Sequence, residues 1–261
     1  MSLFRKKRLP GEGPHPPDWL EEILDAERLS RLETASGVRL LRRPDGEHLA
    51  FPYKCGSYGC VFFLEGDEDR VMKITEDAFE GPYTNYVRLL QAEGVRTSVS
   101  SVRSVTVRID GVWRLFQDDE LVVYAILEER VGPLSGNVSD RLIDGSDTYT
   151  DGWDLVVKAA EMKNPSKAEK AYQKATNLIS EGLSEMERGG ERGRAVAEFL
   201  RLVHEDGAPL TDVHRSNLCL RIKDGPTPDE KKGQVVVIDF GVSQAKSPFR
   251  KSITKLRRKP S

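Results

Sequence analysis

The sequence has few cysteines and lacks any long apolar segment. Cys55, Cys60 and Cys219 are odd in number and show no CxxC spacing, which argues against a structural zinc site or a disulfide framework and favours free thiols in a reducing compartment. The longest apolar run, residues 121–127, is too short to span a bilayer, and no signal-peptide-like apolar stretch follows the basic N-terminus. These absences predict a cytoplasmic protein.

The net charge is also small, but its distribution is uneven. The formal charge is −2, yet residues 1–10 contain four cations and residues 246–261 contain seven, in both cases without an acid. Those eleven cations leave 29 basic and 42 acidic residues in the segment 11–245, a formal charge of −13. We expect residues 1–15 and 246–261 to be disordered, solvated tails; contact with an acidic partner, nucleic acid or an anionic membrane surface is the alternative.

The first half of the chain alternates short apolar runs with turn residues, which predicts a β-rich unit. Helical periodicity between start and stop signals predicts an amphipathic helix at 16–37 and a second helix at 78–94. Tight turns are expected at Asp110-Gly111 and Asp118-Asp119. The predicted strands are 38–43, 48–54, 60–66, 70–74, 102–109, 112–117 and 121–131.

The second half is mainly helical. A polar segment at 132–152 precedes a helical pattern at 153–204, which is broken at Asn164-Pro165 and Gly189-Gly190. The strands 218–222 and 234–238 then form a predicted hairpin. With 261 residues, 38% of them apolar, the chain can bury a core. We therefore expect an α+β fold of two lobes, 38–130 and 131–245, with a hinge near Glu129 to Leu134.

The loop KCGSYGC at 54–60 lies between two predicted strands and is made mostly of small residues. Backbone N–H groups in such a turn can approach a polyphosphate closely. Gly56 and Gly59 equally suit an ordinary hairpin turn. The loop alone therefore leaves phosphate binding and a simple turn as alternatives.

Lys73 lies in a predicted strand whose neighbours are mostly apolar. A buried ammonium group needs a carboxylate or phosphate partner, because an unpaired buried charge is costly. Glu80, at the start of the predicted helix, could supply the carboxylate, and Glu93 is the reserve candidate. A snorkelling lysine, with a glutamate that suits the helix dipole, is the purely structural alternative.

Three polar residues near the predicted hairpin of strands 218–222 and 234–238 could serve a metal-dependent reaction. Asp239 follows a buried strand directly and precedes Phe240-Gly241, a position that suits a Mg²⁺ ligand. Asp212 could act as a base, and Asn217, five residues later, could be a second ligand. Each alone would be an ordinary loop residue; their order and strand context together point to a site.

The ordered set of these motifs resembles the protein kinase-like superfamily. The residues that carry the resemblance are CGSYGCV at 55–61, VMK at 71–73, Glu80, DVHRSN at 212–217 and DFG at 239–241. The resemblance covers residues 50–245 and implies a bilobal protein kinase-like fold, with a β-rich N-lobe and a small, mainly helical C-lobe. Small bacterial and phage kinase-like proteins with a reduced C-terminal lobe look similar.

The resemblance implies ATP and Mg²⁺ as cofactors and gives each residue a role. Asp212, Lys73 and Asn217 would be catalytic, with Asp212 taking the proton of the attacking hydroxyl, and Asn217 and Asp239 would hold Mg²⁺. Lys73, oriented by Glu80, would contact the α- and β-phosphates. Residues 127–131 would contact the adenine through backbone groups. The nucleotide-binding set is Gly56, Ser57, Tyr58, Gly59, Val61, Lys73, Glu80, Glu129 and Val131.

The sequence departs from the kinase pattern at several positions. Lys54 replaces the first glycine of the loop, Leu210 stands where a histidine is expected, and His214 stands where many protein kinases carry lysine. His214 is more like the aminoglycoside and choline kinase branch. Only twenty residues follow Gly241, with no Ala-Pro-Glu motif, so we expect a reduced lower lobe.

These features leave three functional hypotheses. The first is an ATP-dependent kinase that phosphorylates serine or threonine of a protein. It is favoured because the chain has all four main polar residues of the pattern, Lys73, Asp212, Asn217 and Asp239. The second is a small-molecule kinase, which His214 and the missing activation segment favour. The third is a pseudokinase that acts as a binding module, which Lys54 and Leu210 favour.

Overall fold

A computed structural model describes residues 52–55, 59–64, 67–117, 122–134, 138–227 and 229–240. The expected helix 16–37, the strands before residue 52, the turn at 118–119 and both basic tails lie outside these residues. Gly56, Ser57, Tyr58 and Gly241 also lie outside them. No helix within the described part of the chain is long and apolar enough to cross a membrane.

The first half forms a five-stranded antiparallel sheet in the order β1-β2-β3-β5-β4. The register places Val61 opposite Lys73 on one side and Ile126 opposite it on the other. Lys73 therefore lies on the central strand of the sheet, between two apolar neighbours. The strands are β1 (Pro52–Cys55), β2 (Gly59–Leu64), β3 (Asp67–Thr75), β4 (Ile109–Gln117) and β5 (Val122–Glu129).

The predicted strand at 102–109 and the predicted turn at Asp110-Gly111 are wrong. Residues Val102–Val105 form a single helical turn, α2, because the Ser101 side chain caps it by accepting a hydrogen bond from the Ser104 backbone N–H (3.2 Å). Strand β4 begins at Ile109 and continues through Asp110 and Gly111, where the pairing with β5 shifts by one residue. The Asp-Gly pair marks a β-bulge here and not a hairpin turn.

Four further segments of the described chain are helical. The expected helix after β3 is confirmed as α1 (Glu80–Ala92), and the breaks at 164–165 and 189–190 separate α3 (Asp140–Ala160), α4 (Pro165–Arg188) and α5 (Glu191–Glu205). Asn164 caps α4 by accepting from the Lys167 N–H at 3.1 Å, and Pro165 occupies its first turn.

Helix α3 begins well before Trp153, where the helical pattern was expected to start, so the reading of 132–152 as wholly non-helical is wrong. Its glycines are interface residues. A Cβ on Gly145 would lie 2.7 Å from the Gly182 carbonyl oxygen of α4, and one on Gly182 would lie 2.5 Å from the Tyr149 nitrogen of α3. The glycines allow the two antiparallel helices to pack backbone against backbone.

The predicted hairpin 218–238 is confirmed and belongs to a second sheet of order β6-β7-β8. Its strands are β6 (Val131–Pro133), β7 (Leu218–Arg221) and β8 (Val235–Val237). The Val107 N–H donates to the Val237 carbonyl oxygen at 3.0 Å, which attaches β8 to the segment before β4. The two sheets are thereby joined through their backbones.

One hydrophobic core runs through both sheets and the helices. Its members include Val87, Val107 and Ile126 from the first half and Phe199, Leu210, Val237 and Phe240 from the second. A mixed helix and sheet architecture with antiparallel sheets agrees with the α+β expectation. The division into an N-lobe of 38–130 and a C-lobe of 131–245 stays a prediction.

Candidate active site

Lys73 of β3 joins two carboxylates that are far apart in the sequence. Its Nζ forms ion pairs with Glu80 at the start of α1 and with Asp239 just after β8, the latter at 3.0 Å. The Lys73 side chain is only 14% exposed and that of Glu80 only 4% exposed. Glu93 is exposed at the C-terminal end of α1, so Glu80 is the partner of Lys73.

A third carboxylate, Glu128 of β5, adds to the negative charge around Lys73. Glu128 lies opposite Val71, so it is a diagonal neighbour of Lys73 on the same face of the sheet. Burial disfavours a charge on Lys73, but Asp239, Glu80 and Glu128 together hold its pKa above its ordinary value. One ammonium group therefore faces three carboxyl groups, which makes its surroundings rich in oxygen ligands for a cation.

The two glutamates are also perturbed. Burial raises the pKa of Glu80, with Asp239 adding to the rise and Lys73 opposing it. Burial raises the pKa of Glu128 to about 7, again against the attraction of Lys73. Carboxyl groups with raised pKa values beside a buried lysine are typical of functional sites, although structural networks can produce the same shifts.

Asp239 has an unusual backbone conformation. Its φ of 56° is the only positive φ of a non-glycine residue in the described part of the chain. This left-handed region is uncommon for residues other than glycine, though aspartate tolerates it better than most. The buried Phe240 side chain, 1% exposed, anchors the residue that follows. The surrounding structure thus fixes Asp239 in a strained conformation, as is often seen at functional sites.

Helix α3 supports the segment from Leu210 to Asn217. The Tyr149 hydroxyl donates to the Leu210 carbonyl oxygen at 3.0 Å, and the Val213 N–H donates to Thr150 Oγ1 at 3.1 Å. Leu210 is 1% exposed and packs in the core. A leucine in place of the expected histidine is therefore accommodated by apolar packing, and the hydrogen bonds with α3 hold the backbone on either side of Asp212.

Asn217 connects this segment to the strand that leads to Asp239. Its Nδ2 donates to the Asp212 carbonyl oxygen at 2.9 Å, and its own carbonyl oxygen accepts from the Ile238 N–H at 2.9 Å. The first bond commits the amide nitrogen, which leaves the amide oxygen as the atom that could bind a metal. The hairpin brings Asn217 and Asp239 to the same end of the second sheet, as expected.

Asp212 is half-buried and contacts His214. The His214 Nε2 lies 3.2 Å from Asp212 Oδ1. Burial raises the pKa of Asp212, with Asp239, Asp154 and Asp77 adding to the rise and His214 opposing it. The four aspartates interact electrostatically, so the surroundings of Asp212 are strongly acidic.

The nucleotide-binding set is only partly described. Gly59 packs on β3, where an added Cβ would lie 2.2 Å from the Ile74 carbonyl oxygen. Glu129 forms a buried, two-point ion pair with Arg221 (2.7 and 2.9 Å), and its backbone N–H donates to the Arg108 carbonyl oxygen. Val131 pairs with Arg221 between β6 and β7. Nucleotide contacts by Gly59, Val61, Glu129 and Val131 stay predictions.

Reasoning from the sequence missed Glu128, Asp77, Asp154 and Arg221. The strand register would have shown Glu128 as a diagonal neighbour of Lys73, but the register depends on tertiary pairing. Asp77 and Asp154 lie outside any motif and meet Asp212 only through folding. In the sequence Arg221 is an ordinary charged residue at the end of a predicted strand, and no local sequence pattern predicts that its side chain is fully buried.

The oxygen ligands at the site fit Mg²⁺ better than a softer metal. No group of three or more His, Cys, Asp or Glu residues in the described ranges could hold a metal ion. Asp239 and the amide oxygen of Asn217 are hard oxygen ligands, and Mg²⁺ commonly takes one or two protein ligands together with phosphate oxygens and water. The excess of carboxylates around Lys73 supports the same fit.

Comparison with protein-family models and with curated proteins finds no match. Among 17 solved chains that match the structure is a MAP kinase from Leishmania major, with 10% sequence identity and a TM-score of 0.28. The match covers 79% of this chain and 46% of that kinase, so the chain spans less than half of its length.

Proposed function

We propose that this chain is an ATP- and Mg²⁺-dependent phosphotransferase of the protein kinase-like superfamily that phosphorylates serine or threonine of a protein. The single observation that supports this proposal best is the contact of Lys73 Nζ with both Glu80 and Asp239. Three motifs identified separately in the sequence meet at that one nitrogen. Asn217 donates to the Asp212 carbonyl oxygen and accepts from the N–H of Ile238, the residue before Asp239, which supports including Asp212 and Asn217 in the proposed site.

In this proposal Asp239 and Asn217 would hold Mg²⁺, which would supply charge neutralisation at the phosphates. Lys73 would contact the α- and β-phosphates, and Glu80 would keep its ammonium group in place. Gly56, Ser57, Tyr58 and Gly59 would cover the phosphates, Val61 would pack against the nucleotide, and Glu129 and Val131 would contribute backbone contacts to the adenine. Lys73 would exchange its contact with Asp239 for contacts with phosphate oxygens.

The reaction transfers one phosphoryl group. The oxygen of the acceptor hydroxyl forms a bond to the γ-phosphorus as the bond from that phosphorus to the β,γ-bridging oxygen breaks, and ADP leaves. The hydroxyl proton passes to the Asp212 carboxylate. Because the chemistry depends mainly on positioning and charge, the rigid support of Asp212 and Asn217 by α3 and β8 is the relevant property of the fold.

A small-molecule kinase is the second candidate. The specific observation in its favour is the acidic environment of Asp212, which interacts with Asp77, Asp154 and Asp239. Such an environment favours an acceptor that carries positive charge close to its hydroxyl group. His214, in contact with Asp212, is the residue that first suggested this branch of the superfamily.

The decisive experiment measures phosphate transfer from γ-labelled ATP with Mg²⁺ in the presence of a cell extract. The proteins compared are the native chain, Asp212→Asn, Asp239→Asn and the control Glu169→Gln, which changes an exposed glutamate on α4. We expect Asp212→Asn to lose at least about 100-fold in transfer rate, the lower end expected for losing a general base. Asp239→Asn should also lose transfer, because it removes a proposed Mg²⁺ ligand, and the control should retain the native rate. Label in protein bands supports the first candidate, and label in the small-molecule fraction supports the second.

Nucleotide binding is measured separately as the rise in melting temperature with Mg²⁺ and ATP. We expect the rise in the native chain and in Asp212→Asn, and its reduction in Asp239→Asn, because a ligand stabilises only the protein that binds it. Binding without transfer in the native chain would support a pseudokinase that acts as a binding module. Neither transfer nor a rise in melting temperature would refute the proposed function.

A further inference from the structure

We infer that His214 is a positioning residue that, as the neutral tautomer with its proton on Nε2, donates a hydrogen bond to Asp212 Oδ1 and directs the acceptor's proton to Oδ2. This inference rests on the proposed function, because it assigns a task to His214 in the same site. His214 occupies the position at which many protein kinases carry a lysine.

The tautomer follows from the hydrogen bonds on the other side of the ring. The Ser216 backbone N–H donates to His214 Nδ1 at 3.2 Å, and Ser216 Oγ lies 2.8 Å from the same nitrogen. A backbone N–H can only donate, so Nδ1 must present its lone pair. In a neutral imidazole the proton is then on Nε2, the nitrogen 3.2 Å from Asp212 Oδ1.

The contact gives the two oxygens of Asp212 different tasks. Oδ1 accepts from His214, whereas Oδ2 is the oxygen that can accept the proton of an attacking hydroxyl group. A carboxylate held at one oxygen cannot rotate freely about its terminal bond, so the second oxygen keeps one direction. A fixed orientation of the oxygen that accepts the proton should increase the rate of a reaction that depends on positioning.

The backbone at His214 and at the residue that follows it is held by hydrogen bonds. His214 caps the 3₁₀ turn Arg215–Asn217, and its carbonyl oxygen accepts from the Asn217 N–H at 2.8 Å. The Arg215 N–H donates to Asp147 Oδ1 of α3 at 3.0 Å. The turn that presents Asn217 is thus the one that orients the imidazole. A lysine at position 214 would have no acceptor for the Ser216 N–H.

Two substitutions of His214 distinguish the role of Nε2 from the role of Nδ1. In His214→Gln the side-chain amide nitrogen can occupy the place of Nε2 and donate to Asp212, whereas the shorter asparagine of His214→Asn places its polar atoms near Nδ1. We expect His214→Asn to lower kcat for phosphate transfer roughly tenfold to a hundredfold with little change in KM for ATP. We expect His214→Gln to remain within about threefold of the native kcat, since it restores the donor.

The control is the same pair of substitutions at His204, which is exposed on α5. Both His204 variants should keep the native kcat. Equal losses of kcat in His214→Gln and His214→Asn would overturn the inference, because a merely structural role depends on the ring and not on a donor at Nε2. A loss in His214→Gln larger than in His214→Asn would overturn it as well.

An activity-independent measurement distinguishes failure of this inference from failure of the proposed function. Nitrogen-15 NMR of the ligand-free protein at neutral pH reports which ring nitrogen of His214 is protonated, and the His214→Gln variant assigns the signal. A proton on Nε2 alone supports the inference, whereas a proton on Nδ1, alone or on both nitrogens, overturns it. Absence of phosphate transfer by the native chain would instead refute the proposed function.

Discussion

At the scale of single residues, the site is dominated by an imbalance of charge. Lys73 is the cation among Glu80, Glu128 and Asp239, and each of these carboxylates helps to keep it protonated. Two of these three carboxylates, those of Glu80 and Asp239, form ion pairs with Lys73. Glu128 is a further carboxyl group whose ionisation in the folded chain is costly, because its burial outweighs the attraction of Lys73.

We therefore expect Glu128→Gln to stabilise the protein at high pH. Glu128 has a pKa of about 7 in the folded chain, against an ordinary value of 4.5. A carboxyl group with a raised pKa lowers stability as the pH rises above 4.5, and the loss levels off above 7. The free energy of unfolding of Glu128→Gln should exceed that of the native chain by up to about 3 kcal/mol at pH 8.

Urea unfolding at several pH values measures this difference. The gain should shrink as the pH falls and vanish near the ordinary pKa of glutamate, whereas the exposed control Glu169→Gln should show no such trend. A gain of the same size at low and high pH would contradict the assignment of the raised pKa to Glu128.

Much of the site at this scale could be predicted from the sequence. The order of Lys73, Glu80, Asp212, Asn217 and Asp239, each at a defined place relative to a strand or helix, was enough to identify them as one group. Their contacts agree with that grouping. Glu128 could not be identified, because its role depends on the register between β3 and β5, which no local pattern specifies.

At the scale of the elements, the close packing of α3 against α4 is the feature that most affects the site. Helix α3 supplies Tyr149 and Thr150, which hold the backbone on either side of Asp212. The position of α3 depends in turn on Gly145, Gly152 and Gly182, which permit a short distance between the two helices. Side chains larger than hydrogen at these positions would push the helices apart.

We expect Gly182→Ala to destabilise the protein despite the better helix propensity of alanine. The new Cβ would lie 2.5 Å from the Tyr149 nitrogen and 2.6 Å from the Gly145 carbonyl oxygen, which are backbone atoms that cannot move aside. Overpacking costs about 1–3 kcal/mol, and the propensity gain offsets up to about 1 kcal/mol of it. Because the contacts are with backbone atoms, we expect the upper end of the overpacking range, and chemical denaturation should show a net loss of about 2 kcal/mol.

Ser180→Ala, at an exposed position two residues earlier on α4, is the matched control and should change stability by less than about 0.5 kcal/mol. A Gly182→Ala variant as stable as the native chain would show that the helices can separate at little cost.

The same glycines explain why α3 was only partly predictable. Glycine, serine and aspartate are typical of loops, so their density before Trp153 indicated a non-helical segment. Burial of Leu142 and Tyr149, seven residues apart on one face, outweighs those local preferences. Helix α1 and the β7–β8 hairpin were predictable because their local patterns and their packing agree. The turn α2 was not, because its valines suit a strand equally well.

At the scale of the whole molecule, one buried ion pair connects the two sheets. Arg221 of β7 has no exposed side-chain surface and forms a two-point contact with Glu129 at the end of β5. It also donates to Gln234 and to the Thr106 carbonyl oxygen. In addition to the backbone bond between Val107 and Val237, this guanidinium group therefore links the strand adjacent to Lys73 with the hairpin that precedes Asp239.

We expect Arg221→Met to cost roughly 3–5 kcal/mol of unfolding free energy, because it leaves Glu129 buried without its cation. The double variant Glu129→Gln, Arg221→Met should lose less than the sum of the two single losses. A double-mutant cycle by urea unfolding measures this coupling.

The exposed pair Arg188 and Glu185 provides the comparison, since Arg188→Met should cost less than about 1 kcal/mol. Strictly additive losses for Arg221 and Glu129 would contradict the view that the pair joins the sheets as a unit.

The left-handed backbone of Asp239 has a consequence for how sequences of this fold can vary. Glycine or asparagine would occupy a φ of 56° more easily, and either would remove one of several like charges from the surroundings of Asp212. Neither could supply the carboxylate that the proposed metal site needs. Replacement would relieve the backbone strain and the repulsion, but it would also remove the ion pair with Lys73 and the proposed metal ligand, so backbone geometry and chemistry make opposite demands on one position.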